Sequence, residues 1–96
     1  MQVKWLRRAL ANLEQELEHI AGDDPIAAGL VAKRIGHAVE LLSDNPSLGH
    51  PGRVPGTYEL IVPKMRYIIP YRVRPRLGQI EILRVFHASR KPPQRW

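Results

Sequence analysis

The chain has no cysteine, so its fold owes nothing to disulfides or thiolate metal sites. That fits a reducing compartment. It also has no apolar run near the roughly 20 residues that span a bilayer. The first twenty residues interleave charges with leucines, unlike a signal peptide, and the chain is expected to be cytoplasmic and free of membrane contact. Acidic residues are scarce in one place. Residues 45–96 hold only Glu59 and Glu81 against ten Lys and Arg, a net of +8, while residues 1–44 hold seven acids against five bases, a net of −2. Such asymmetry points the second half toward a polyanionic or acidic partner. The four histidines, His19, His37, His50 and His87, lack ligand spacing, so neither a metal nor a cofactor is expected.

What remains is enough for one small domain over residues 1–96, whose limited core suits stabilisation by a partner. Met1–Trp5 alternates like a short edge strand. A helix is predicted from Arg7 to Ala21, with Leu10, Leu13, Leu17 and Ile20 in one stripe, Glu14, Glu16 and Glu18 in water, and Gly22 as its stop. Asp24 then caps a second helix with Pro25 in its first position, where the missing N–H costs nothing. Ala28, Val31, Ile35, Ala38, Val39 and Leu42 give that helix an apolar face. Gly29 and Gly36 near this face suggest close approach of the two helices.

Ser43–Gly56 is rich in proline and glycine and reads as a loop. Beyond it the period becomes that of strands: Tyr58–Val62, Tyr67–Val73 and Ile80–His87, joined by the short turns Pro63–Arg66 and Arg74–Gly78. Pro70 lacks a ladder donor and requires a free edge or a bulge. The expected class is α+β, with a strand and a helical hairpin packed on a small antiparallel sheet in the order β-α-α-β-β-β. Tyr67 and Tyr71 share a face with Ile69 and Val73 and are assigned to the core, and Trp96 is expected to fold back onto the helices.

Three segments together resemble the RelE/ParE toxin superfamily. They are Gly52-Arg53-Val54-Pro55-Gly56-Thr57-Tyr58-Glu59-Leu60, Tyr67-Ile68-Ile69-Pro70-Tyr71-Arg72-Val73, and Ile82-Leu83-Arg84-Val85-Phe86-His87 with Arg90. The order of elements, the Asp24-Pro25 helix start, and Asn45-Pro46 with Gly49 match as well, so the resemblance covers essentially the whole chain. It implies the toxin of a type II toxin–antitoxin pair, forming a hetero-oligomer with a cognate antitoxin whose acidic or amphipathic segment wraps it. Family members act in two ways: RelE-like ones cut mRNA in the ribosome, and ParE-like ones poison DNA gyrase.

Cutting RNA through its 2′-OH needs a base, cations around the developing phosphorane charge, and an acid for the leaving oxygen. In this chain His87, Arg84 and Arg90 are the candidates for catalysis, with Arg53, Arg72, Lys64, Arg66 and Lys91 for holding the substrate. Histidine as a residue type suits proton transfer near neutral pH, and the competing role of His87 is a strand-end residue bonded to backbone. Arg84 within an apolar strand either pairs with Glu59 or Glu81 or binds phosphate, and Arg72 poses the same choice. The chain departs from the RelE pattern in having no tyrosine in its tail, RKPPQRW, and no lysine between Gly49 and Glu59. Its Val-Phe-His-x-x-Arg ending looks equally like the ParE branch, which has no demonstrated catalytic chemistry. A third reading is a basic nucleic-acid-binding module without toxicity.

Overall fold

A computed structural model describes residues 1–93 and 95–96. The chain runs β1 (Gln2–Trp5), α1 (Arg7–Asp23), α2 (Pro25–Glu40), a 3-10 turn (Leu41–Ser43), β2 (His50–Pro51), β3 (Tyr58–Val62), β4 (Tyr67–Arg74), a second 3-10 turn (Pro75–Leu77), β5 (Gln79–Ile82) and β6 (Phe86–His87). Among the described residues, no helix is long and apolar enough to cross a membrane.

The expected cap of α2 is present: the Asp24 side chain accepts from the amides of Ile26 and Ala27, each at 3.1 Å. Those two bonds serve donors that a helix start otherwise leaves unpaired. The apolar stripe of α1 differs from expectation. Ala9, Leu13 and Ile20 pack on the core while Leu10 is exposed, and Glu16, expected in water, is buried in that same stripe. The helix is turned by about one residue because Glu16 has partners inside, described below. Gly29 and Gly36 do not mark a close helix contact, since a Cβ at either position would meet nothing within 4 Å.

The sheet is ordered β1-β5-β4-β3-β2, with β6 also pairing β4. It is antiparallel except at its edge, where β1 lies parallel to β5 with Val3 opposite Ile80 and Trp5 opposite Ile82. One face is sealed by both helices. Leu60 and Val62 of β3, Tyr67, Ile69 and Tyr71 of β4, and Ile80 and Ile82 of β5 meet Ile35, Val39 and Leu42 there. Burying each such side chain contributes roughly 1.5–3 kcal/mol of hydrophobic free energy. The core role of Tyr67 and Tyr71 is as expected.

The predicted strand Ile80–His87 is in fact two, and Pro70 is the reason. Between the pairs Ile68–Phe86 and Tyr71–Ile82, β4 has two residues but the opposite strand has three, Leu83, Arg84 and Val85. The Pro70 carbonyl accepts from the Leu83 amide at 2.9 Å, so the face of Pro70 without an N–H also points toward that strand. With no donor to continue the ladder, the partner strand bulges. The bulge changes which side chains share a face. Ile80, Ile82 and Val85 enter the core, and His87 lies opposite Tyr67 on the helix-covered side. Unbroken alternation would instead put Val85 and His87 on one face with Glu81 and Leu83. Arg84 is at the bulge itself.

Candidate functional site

Arginine and glutamate pair in three clusters around this sheet. In the first, Glu59 on β3 takes three bonds from Arg53: from the main-chain amide at 2.8 Å and from Nε and Nη2 at 3.0 Å each. Burial pushes the Glu59 carboxyl up, but these bonds outweigh burial and hold it below the usual carboxylate range. The Arg53 guanidinium also lies 5.5 Å from the centre of the Phe86 ring. In the second, the Arg72 and Arg74 side chains both bond Oε1 of Glu81, which faces Arg72 across β4–β5. The Arg72 bond is the main cause of a lowered Glu81 carboxyl, against burial and with help from Arg74.

The third cluster crosses from α1 to the chain's last strand. Arg90 pairs with Glu16, and the Tyr67 hydroxyl donates to the other oxygen of Glu16 at 3.3 Å. Burial, then the Glu16 charge, raises the Tyr67 phenol above its ordinary value, so it stays a donor. The His87 ring meets Tyr67 edge-on at 5.3 Å. Its Nδ1 accepts from the Ser89 amide at 3.2 Å and lies 2.7 Å from the Ser89 hydroxyl. An Nδ1 that accepts from an amide leaves the proton of the neutral ring on Nε2.

Of the expected site residues, the catalytic candidates Arg84 and Arg90 and the substrate-holding candidate Lys91 line one cleft with Asn12, Gln15 and Glu16. His87 does not line it and packs against Tyr67, whose hydroxyl bonds Glu16. Arg84 pairs with neither Glu59 nor Glu81, which are held by other arginines. Its Nε instead donates to the Trp96 main-chain oxygen at 3.3 Å. Burial, and then the neighbouring charge of Arg8, lowers its pKa from the ordinary arginine value. Lys64 and Arg66 flank the β3–β4 hairpin tip, and both adopt left-handed backbone, φ 68° and 59°. Such a conformation costs a residue with a side chain on the order of 1 kcal/mol.

The expectation that these cations are free to hold a substrate therefore requires correction. Arg53, Arg72, Arg74 and Arg90 are each paired with a carboxylate. Among the described residues, Lys64, Arg66, Arg84 and Lys91 have no such ion pair. The two acids of the second half are few but central, and the helical half lends a third, Glu16. Glu16 and Tyr67 were missed as site residues. Spacing held the clue, since Ala9, Leu13, Glu16 and Ile20 fall on one helical face. Among the described residues, no group of three or more His, Asp or Glu is placed to hold a metal.

The side of α2 is different in kind. Leu30 and Leu41 are roughly half exposed, as are Leu48 and Ile61. Leu30, Ala38, Leu41, Val62 and Pro63 line a groove there, with Lys33, Arg34 and Lys64 at its margin. Leu41, Leu48, Gly49 and Ile61 continue it along the edge of β3. Because β2 pairs with Tyr58 and Glu59, the outer edge of β3 beyond them is open among the described residues.

The ParE toxin family of type II toxin–antitoxin systems matches residues 3–92. The chain is 43% identical over 93 residues to Y4kP, a Sinorhizobium fredii protein carrying a toxin name, covering 97% of this chain and 94% of that one. It is 34% identical over 89 residues to toxin RelE2 of Caulobacter vibrioides, covering 93% and 97%. Its fold resembles the chromosomal ParDE system from P. aeruginosa with a TM-score of 0.82 at 29% identity, covering 93% of this chain and 97% of that chain. The RelBE2 toxin–antitoxin complex of Mycobacterium tuberculosis follows at 0.61 and 25%, with 92% of each chain covered. Sequence over nearly its full length and fold together place this chain in the ParE toxin family, as the toxin of a type II toxin–antitoxin module.

Proposed function

We propose that this toxin arrests growth by binding rather than by catalysis, as a ParE-like inhibitor of DNA gyrase, and that its antitoxin neutralises it through the groove beside α2. The observation that carries the first part is the state of the groups an RNA cut would use. His87 is bonded through Nδ1 to Ser89 and packed on Tyr67, and Arg90 is held by Glu16. A base and its supporting cations must converge on one reacting centre. Here His87 does not line the cleft of Arg84 and Arg90, and His87 and Arg90 are each engaged by another side chain, Ser89 and Glu16. The higher TM-score to the ParDE system than to RelBE2 supports the same reading.

The antitoxin part rests on exposed leucines beside an open strand edge. An amphipathic segment buries such leucines, and its acidic residues meet Lys33, Arg34 and Lys64 at the margin.

Inducible expression of this chain alone in a bacterium tests the target. SOS induction with linearised DNA is expected, and His87→Ala should keep its toxicity. Translation arrest with codon-specific mRNA ends, lost in a folded His87→Ala variant, would restore the ribosome-dependent nuclease. Growth unaffected by expression would leave only a basic binding module.

A further inference from the structure

The tip of the β3–β4 hairpin is built from residues that suit its backbone badly. Lys64 and Arg66 are both left-handed, at φ 68° and 59°. Glycine takes that conformation without steric cost, yet the chain places a cation at each position. Met65 between them packs on the core and anchors the tip, while both charged side chains are exposed. Two further segments meet this tip. The Arg66 carbonyl accepts from the Ala88 amide at 2.7 Å, which joins the tip to the turn after β6 and so to the exposed Lys91. On its other side, Lys64 borders the α2 groove together with Lys33 and Arg34. Lys33, Arg34, Lys64, Arg66 and Lys91 thus form a band around one end of the sheet. All are exposed, and among the described residues none has a carboxylate partner, unlike Arg53, Arg72, Arg74 and Arg90. The aromatic residues nearby are engaged elsewhere. His87 packs on Tyr67. Trp96 does not fold back onto the helices as the sequence suggested, but stacks on Phe86 with centroids 5.8 Å apart and planes at 29°.

We propose that this band binds the phosphate backbone of duplex DNA. Single strands are held by bases stacking on aromatic rings, and the band presents none. Among the described residues, no large apolar side chain is exposed around Lys64, Arg66 and Lys91 to anchor a protein. A duplex backbone asks only for cations, since it carries a charge about every 1.7 Å of axis and releases counterions on contact. Such contacts carry no sequence information, so binding should be indifferent to sequence. The choice of DNA over duplex RNA rests on the gyrase reading, in which the toxin works beside duplex DNA. Lys33, Arg34 and Lys64 also border the groove assigned to the antitoxin, so antitoxin and DNA draw on the same three cations.

Fluorescence anisotropy of the purified full chain with a short random-sequence DNA duplex, across a salt series, tests the band. Lys64→Gly with Arg66→Gly should weaken binding about tenfold at low salt and reduce the salt slope by about two. Urea melts of that variant should show no loss of stability, because glycine relieves both left-handed positions. Lys64→Gln with Arg66→Gln keeps the side-chain stems and should weaken binding equally. The control is Lys4→Gln with Arg76→Gln, which removes the same charge from β1 and from the turn at the far end of β4. It should leave the slope nearly unchanged. Equal weakening by this control reduces the binding to net charge and overturns the proposal. A slope unaltered by both tip variants, or tighter binding to a single strand of the same sequence, also overturns it. No gyrase is present in the assay, so a failed band leaves the gyrase reading standing, and SOS induction tests that reading separately.

Discussion

The two flanks of this toxin solve opposite problems. On the polar flank, Glu16, Glu59 and Glu81 are each held by arginine, and among the described residues no buried side-chain nitrogen or oxygen lacks a partner. Beside α2, leucines and an open strand edge are left without cover. The polar flank is complete within the chain, whereas the apolar flank is completed only by something else. Charge asymmetry in the sequence directs attention to the first. The structure directs it to the second, because exposed apolar area gains more from a partner than ion pairs already made.

That contrast can be broken most sharply in the groove. Leu41→Asp should weaken antitoxin binding by about 2 kcal/mol or more, roughly thirtyfold in Kd, by placing a charge in a desolvated contact. Its own folding stability should change little, since Leu41 is 44% exposed. Calorimetry against the antitoxin with parallel urea melts of the toxin separates the two effects. Unchanged affinity would move the docking surface elsewhere.

On the polar flank the effect should fall on stability instead. Glu16→Gln keeps the shape but removes the charge that Arg90 and Tyr67 share, and should cost about 1–3 kcal/mol in urea denaturation. A neutral result would mean that the Arg90 contact is a solvated surface pair.

The smallest effect concerns acid. Glu59 and Glu81 both titrate below their ordinary value of 4.5 in the folded chain. Their contribution is therefore present above that value and is lost as pH falls through the lower folded values. Thermal melts should hold steady down to about pH 5 on account of these two groups and decline below it. The decline should shrink in Arg72→Gln, which loses the largest cause of the Glu81 shift. Equal acid sensitivity in both proteins would deny the Arg72–Glu81 pair a role in stability.

Much of the architecture was legible because it depends on local rules. Asp24-Pro25 writes a helix start whatever surrounds it, and Pro70 announces a ladder defect because a proline has no N–H to give. The defect's location on the partner strand was not legible. It depends on which neighbour the bare nitrogen faces, and that neighbour, beginning at Leu83, is thirteen residues or more away in sequence. The same holds for the site. Its cations were readable one by one, but their partners were not, since Glu16 and Arg90 lie 74 residues apart.

Sequence by itself thus determined the order of elements, the family, and the excess of positive charge in the second half. Tertiary structure alone decided which arginines are neutralised, where the bulge turns His87 inward beside Tyr67, and that Trp96 rests on Phe86. Periodicity and capping act over one or two turns of chain, whereas ion pairing and stacking are settled by distances that exist only after the sheet has closed against the helices.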